Sequence, residues 1–184
     1  MTTRLFVYIL FLVFVPVTVC TAEAQDEVQN ISLLKAVFIY NFAKFTRWPE
    51  GQPGGPQNQI ILCAIGRDNL SDNLNALDGK ALRGRTIKIE YFSEKRNSLK
   101  SCNVLYLAHS TPQKTQHILE LIRSNSILTI SEMPNFINLG GMIKLQTQND
   151  KIRFTINLMA TRAAGLEISA RLLNLATVIN EEAP

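Results

Sequence analysis

The stretch that decides the fold is Gln59–Ile65, QIILCAI, which is apolar throughout after its first residue and is followed by Gly66. A strand with one solvated face alternates apolar and polar residues, whereas a strand covered on both faces reads as a continuous apolar run. This stretch therefore predicts a strand buried between two layers, as in a parallel sheet with helices on both faces.

Downstream of this strand, predicted helices alternate with further predicted strands. Asp68 is placed to cap a short helix that runs to Leu77 and ends at Gly79. Thr111-Pro112 begins a second helix, with proline at its first position, that runs to about Arg123. Three more strands are predicted, at 86–92 (TIKIEYF), 102–108 (CNVLYLA) and 126–130 (SILTI). This alternation is typical of βαβ units.

The C-terminal third has a different pattern. Residues 142–147 (MIKLQT) and 152–156 (IRFTI) alternate apolar and polar side chains, and the turn-forming residues 148–150 (QND) separate them. This pattern predicts an antiparallel hairpin. Asn157 is placed to cap a short helix that Gly165 ends, and Ser169 is placed to cap a last helix, Ala170–Ile179.

The predicted class is therefore α/β. It is a three-layer sandwich built on a mostly parallel, Rossmann-like sheet, with a C-terminal antiparallel hairpin and a terminal helix. Before the sheet, an amphipathic helix is predicted over Glu27–Trp48, ended by Pro49. Its apolar stripe is predicted to face the core and consists of Leu34, Phe38, Phe42 and Phe45.

The first 24 residues are typical of a secretory signal. A short basic start is followed by the apolar run Leu5–Val15, then by Pro16, and Ala22-Glu23-Ala24 offers a cleavage site before Gln25. The alternative is an uncleaved N-terminal anchor, although the apolar run is short for a membrane span. We expect residues 1–24 to be the signal peptide and 25–184 to be one exported domain. In a bacterium that domain would be periplasmic, without membrane insertion after cleavage.

The charge and the cysteine content narrow the class of protein further. The formal net charge of +4 comes from basic residues scattered along the chain, without the aromatic interleaving of a nucleic-acid surface, so no nucleic-acid partner is expected. Cys63 and Cys102 are the cysteines of the mature chain. An even count in an exported domain favours a disulfide, with two buried free thiols as the alternative. Neither a CxxC pair nor a histidine cluster supports a metal site, and no cofactor is predicted.

No catalytic motif is recognisable: the chain lacks GxSxG, Walker A, HExxH and a complete GxGxxG. Gly140-Gly141 precedes a predicted strand and indicates a tight turn or bulge. Arg67, His109 and Ser110 follow predicted strands at the edge where open α/β sheets bind ligands, which makes them candidate ligand-binding residues. The alternative is that they are ordinary polar residues at strand ends. An enzyme is not predicted.

Two segments together resemble the YfiR family of exported bacterial proteins. One is Lys35–Pro49, KAVFIYNFAKFTRWP, and the other runs from Gly140 through KIRFTINL at 151–158 to AGLEISARLL at 164–173. The resemblance covers about Ser32 to Ala176. It implies a disulfide between the first and third strands, which matches Cys63 and Cys102. A second cysteine pair found in some relatives near the hairpin has no counterpart here.

The resemblance implies a non-enzymatic periplasmic regulator that dimerises. Such a protein would bind the periplasmic sensor region of an inner-membrane diguanylate cyclase and repress it, lowering cyclic di-GMP and biofilm formation. Candidate partner-binding residues in the last third of the chain are Arg162, Glu167 and Arg171. The alternative function is a periplasmic small-molecule sensor without a cyclase partner, which would use the cleft near Arg67 and His109.

Overall fold

The computed structural model describes residues 22–50, 58–92 and 99–180. Residues 1–21 of the predicted signal peptide lie outside the described residues. The five α-helices found in the described part are α1 (Ala22–Phe45), α2 (Asn69–Asn73), α3 (Pro112–Leu121), α4 (Leu158–Ala163) and α5 (Ala170–Leu173). The strands are β1 (Thr46–Arg47), β2 (Gln59–Ile65), β3 (Ala81–Leu82), β4 (Arg85–Phe92), β5 (Val104–Leu107), β6 (Leu128–Ser131), β7 (Ile143–Gln148), β8 (Lys151–Asn157), β9 (Glu167–Ile168) and β10 (Thr177–Ile179).

Eight of these strands form one sheet in the order β10-β8-β7-β6-β5-β2-β4-β3. The central neighbours β4, β2, β5, β6 and β7 run parallel, and the predicted hairpin of β7 and β8 is antiparallel. Strand β2 lies between β4 and β5 and is buried from Ile60 to Ile65. The continuous apolar run therefore predicted its position correctly, because a strand with a neighbour on each side and a layer on each face has no solvated position.

Apolar side chains from β2 divide between the two faces of the sheet. Ile60 and Leu62 pack in one core cluster with α1 and α2, whereas Ile61 and Cys63 pack in a second cluster with α3 and the segment after β6. Two clusters, one on each side of a single sheet, make three layers, so the predicted α/β sandwich is confirmed.

The predicted helix caps are also found. The Asp68 carboxylate accepts from the backbone N–H of Ser71, and the Thr111 hydroxyl accepts from that of Lys114. The Asn157 amide oxygen accepts from the backbone N–H of Ala160. These side chains satisfy N–H groups that a helix start leaves without a partner, which explains why they could be located from the sequence.

The extent of the last helix was predicted wrongly. Ser169 does cap it, but α5 ends at Leu173 instead of continuing to Ile179. Thr177–Ile179 forms β10, which pairs in parallel with the outer edge of β8. Three β-branched residues in a row favour a strand, and the open edge of β8 supplies backbone partners that a continued helix would leave unused.

The core-facing side of α1 also differs from the prediction. The helix buries Ser32, Ala36, Ile39, Phe42 and Ala43 against the sheet. Of the predicted stripe Phe42 is fully buried and Phe38 and Phe45 are half-buried, but half of the Leu34 side chain is exposed. Small residues let the helix approach the sheet closely. The helix is therefore rotated about its own axis relative to the orientation that the large side chains predicted.

Gly141 is required by close packing. The predicted turn is confirmed, since Gly140 has φ +90°, but a Cβ added at Gly141 would lie 2.4 Å from the ring of the buried Phe136. We expect Gly141→Ala to lower the free energy of unfolding by about 1–3 kcal/mol, because the buried Phe136 ring has little room to move away from the added methyl group. Chemical denaturation measures this cost.

The double variant Gly141→Ala with Phe136→Leu tests whether the Phe136 ring causes this loss of stability. If the ring is the obstacle, the double variant will be more stable than the sum of the two single costs indicates. Strict additivity of the two costs would contradict this explanation.

Candidate interaction surface

A small two-stranded ribbon carries the surface that the partner-binding prediction concerns. Strand β1 continues directly from α1 and pairs antiparallel with β9, with Arg47 opposite Glu167. The Ser169 N–H donates to the Phe45 carbonyl at 2.9 Å, which extends the pairing to the start of α5. Thr46 is fully buried and its hydroxyl donates to the Phe42 carbonyl at 2.7 Å, so the ribbon is anchored to the end of α1.

Around this ribbon, cations gather at one half-buried aromatic ring. The Arg171 guanidinium lies 5.9 Å from the centre of the Phe45 ring, and the Lys44 ammonium lies 5.8 Å from it. Both distances are within the range of a cation–π contact. We call the following set the Phe45 surface: Lys44, Phe45, Arg47, Arg83, Glu167 and Arg171.

The remaining contacts of the Phe45 surface involve Arg47, Glu167 and Arg83. Arg47 and Glu167 form an ion pair at 3.1 Å, and both side chains are more than two-thirds exposed. Exposed ion pairs contribute little to folding stability, so this pair is free to exchange for contacts with a partner. Arg83 donates from Nη1 to the Thr46 carbonyl at 3.1 Å. Four cations and one carboxylate leave the Phe45 surface positive.

The structure therefore brings together two of the three predicted partner-binding residues. Glu167 and Arg171 both belong to the Phe45 surface. Arg162 lies exposed in the last turn of α4, and no hydrogen bond or ion pair among the described residues joins its side chain to either of them. The sequence analysis did not single out Arg47 or Arg83. It assigned Phe45 to the core, and the half-buried ring does pack against the core. A two-residue strand has no periodicity that would have revealed the ribbon.

The predicted ligand-binding residues lie at the carboxyl edge, where the parallel strands end. Arg67 forms an ion pair with Asp72 at 3.2 Å, and its guanidinium lies 5.1 Å from the centre of the Tyr91 ring. These partners are on the β4 side of β2, whereas His109 and Ser110 follow β5 on the other side. Within the described residues no hydrogen bond or ion pair joins Arg67 to His109 or Ser110. Ligand binding by these residues stays a prediction.

Other side chains at the carboxyl edge are held by a hydrogen bond and an ion pair. The hydroxyl of the buried Tyr106 donates to the Asp68 carboxylate at 2.8 Å. Burial raises the pKa of the Tyr106 phenol far above its usual value, and the negative charges of Asp68 and Glu132 add to the effect. The phenol is therefore a neutral donor at any ordinary pH. Lys35 of α1 binds Glu132 after β6, which ties the helix to this edge.

Cys63 of β2 and Cys102, just before β5, form a disulfide with their Cα atoms 5.8 Å apart. Both residues are buried in the core cluster that contains α3. The bond joins adjacent strands of the sheet, as the resemblance implies. Its sulfur atoms are covered by the protein, which favours a structural role over that of a reactive thiol.

No group of three or more histidine, cysteine, aspartate or glutamate side chains is arranged to hold a metal ion in the described part of the chain. Among the described helices, none combines the length and the apolar character needed to cross a membrane.

The fold and the Phe45 surface define a three-layer α/β protein with a disulfide-braced parallel sheet and an exposed, cation-rich ribbon beside its first helix. The model of the YfiR/HmsC-like family, DUF4154, matches residues 32–177. The chain belongs to this family, which confirms the resemblance seen in its sequence. The matched region includes α1 from Ser32, the disulfide and the Phe45 surface.

Proposed function

We propose that this protein is a periplasmic regulator that binds the sensor region of an inner-membrane diguanylate cyclase and holds the cyclase inactive. Membership of the YfiR/HmsC-like family supports the proposal. The observation that carries it here is the Phe45 surface, which presents an aromatic ring and several cations at a structured but exposed ribbon. Repression by this protein would lower cyclic di-GMP and biofilm formation.

Repression of this kind needs a difference in affinity and no catalytic group. A ligand that changes a partner from almost fully active to almost fully inactive must bind the inactive state more tightly by about 5.5 kcal/mol. A few well-placed anchors supply most of the energy of a protein interface, and arginine and aromatic residues are enriched among them. Phe45 and Arg171 are residues of these types and lie in direct contact.

The charge of the surface indicates the chemistry of the partner region. Lys44, Arg47 and Arg171 are exposed, and Glu167 is the carboxylate among them. Complementary charge speeds encounter and excludes partners of like charge. We therefore propose that the sensor region of the cyclase presents carboxylates to the Phe45 surface.

Charge reversal at Arg171 tests this proposal. We expect Arg171→Glu to weaken binding to the cyclase sensor region about 30-fold, the loss expected when one interface anchor worth ~2 kcal/mol is removed. Repression in cells should weaken accordingly, so cyclic di-GMP should rise at unchanged protein level. Titration calorimetry measures the first effect, and quantification of the nucleotide in extracts measures the second.

Arg153→Glu is the matched control. Arg153 is equally basic and exposed, but it lies in β8, where it pairs with Gln146 in the hairpin, away from the ribbon. We expect this variant to bind and to repress normally. Normal repression by Arg171→Glu, or equal losses in both variants, would count against the Phe45 surface as the interface.

A further inference from the structure

A groove of about 460 Å³ lies at the opposite edge of the sheet from the predicted ligand cleft, between α3 and α4. Its volume falls within the range of small-molecule sites. It is distinct from the Phe45 surface and has no part in the function proposed above. Its lining comes from the second half of α3, the start of β6, the turn before β7, and α4 with the residues at its two ends.

Two nearly fully buried side chains in the groove carry hydrogen-bond donors without acceptors. Asn157 is 3% exposed, and its amide oxygen accepts from the Ala160 N–H at 2.9 Å. The amide nitrogen of Asn157 has no partner among the described residues. Thr129 is 1% exposed, and its oxygen accepts from the Met142 N–H at 3.0 Å while its own hydrogen has no acceptor there.

Donors without a protein acceptor are unusual on side chains buried this deeply, because most buried polar groups are hydrogen-bonded. Asn157 and Thr129 both line the groove. The groove thus offers donors at its base, and a ligand that bears acceptor oxygens would satisfy them.

The rest of the lining combines apolar side chains with the polar side chains of Gln116, Glu120 and Asn138, and it includes the cation Arg123. Leu119, Ile122, Ile127 and Met142 are buried where they line it, and Met159 lies partly exposed at its rim. The Arg123 guanidinium has no ion-pair partner in the described part of the chain. Glu120, the carboxylate of the lining, is hydrogen-bonded by Gln116 at 3.2 Å.

We propose that this groove binds a monocarboxylic acid with an apolar body, of the size of a medium-chain fatty acid. The carboxylate accepts from Asn157 and Thr129, and Arg123 supplies the opposite charge. The apolar body packs against the leucine, isoleucine and methionine side chains of the lining. A charged acceptor fits buried donors better than a neutral one, since hydrogen bonds to ionised groups are the stronger kind.

Calorimetric titration of the purified protein with octanoate, below the concentration at which octanoate aggregates, tests the proposal. Octanol and octylamine, titrated in the same way, have the same chain with a neutral or a cationic head. We expect octanoate to bind at least about tenfold more tightly than either, in line with the contribution of charge-assisted hydrogen bonds. No binding of octanoate at millimolar concentration, or equal binding of octanol, would overturn the proposal.

Asn157→Asp tests whether octanoate binds in this groove. Aspartate caps a helix as well as asparagine does, so α4 keeps its start, but the donor is lost and a negative charge faces the carboxylate. We expect octanoate binding to weaken by about tenfold or more. Octanoate binding that survives this change in a folded variant would show that the acid binds elsewhere.

Arg123→Gln tests octanoate binding in the groove without a change at position 157. Arg123 is exposed, so this variant should fold normally. We expect it to weaken octanoate binding and to leave octanol binding unchanged. Arg153→Gln, outside the lining, is the control and should change neither. Equal octanoate affinity in the Arg123 and Arg153 variants would exclude Arg123 from the site.

Discussion

Replacement of both Cys63 and Cys102 by alanine is expected to lower the free energy of unfolding by about 4 kcal/mol. The two cysteines are 39 positions apart in the sequence. Cross-linking a loop of this size removes chain entropy from the unfolded state, and the chain-entropy model gives about 4 kcal/mol for it at 25 °C. That loss is a large part of the 5–15 kcal/mol by which domains are typically stable. Urea denaturation followed by circular dichroism measures it.

Alanine is the suitable replacement because Cys63 is fully buried and Cys102 is 2% exposed. Serine would add the separate cost of two buried hydroxyl groups. The wild-type protein, unfolded in the presence of a strong reductant, is the control for the substitutions themselves. We expect the reduced wild type and the double variant to unfold at similar urea concentrations. If the oxidised wild type unfolds there too, the bond does not stabilise the fold.

Phe42→Ala is expected to cost about 3–5 kcal/mol, the usual range for removal of a buried phenylalanine ring. Phe42 is fully buried, and its ring lies 4.9 Å from that of Phe154 and 6.1 Å from that of Phe38. These rings join α1 to β8, so the cavity would open in the layer that holds the first helix on the sheet. Thermal and chemical denaturation both measure the loss.

Leu34→Ala on the same helix is the comparison. Half of the Leu34 side chain is exposed, so its truncation should change the free energy of unfolding by no more than about 0.5 kcal/mol. Comparable costs for Leu34→Ala and Phe42→Ala would mean that the stripe predicted from the sequence, and not the observed packing, describes the core-facing side of α1.

Local patterns in the sequence predicted the sheet well. The apolar run at β2 identified a doubly covered strand, and the alternation on either side of residues 148–150 identified the hairpin of β7 and β8. Helix starts at Asp68 and Asn157 were predicted because a capping side chain bonds to a backbone N–H only a few residues ahead. Each of these signals is complete within a short segment.

The last helix shows where local patterns fail. The apolar residues of 170–179 have helical spacing, yet only Ala170–Leu173 is helical and Thr177–Ile179 is a strand. A spacing that fits a helix does not show that a sheet edge lies within reach. Once β8 is in place, its outer edge offers backbone hydrogen bonds to Thr177–Ile179, and the strand forms there.

The sequence by itself determined the class of fold, six of the eight strands of the sheet, the family and the cysteine pair, because these depend on periodicity, capping and motifs carried within short segments. Only the tertiary structure decided which side of α1 is buried, that Arg47 meets Glu167 from 120 positions away, and that Asn157 and Thr129 line one groove. Those contacts depend on how the helices dock on the sheet. Docking is set by the packing of many side chains at once, and no short segment of the chain contains that information.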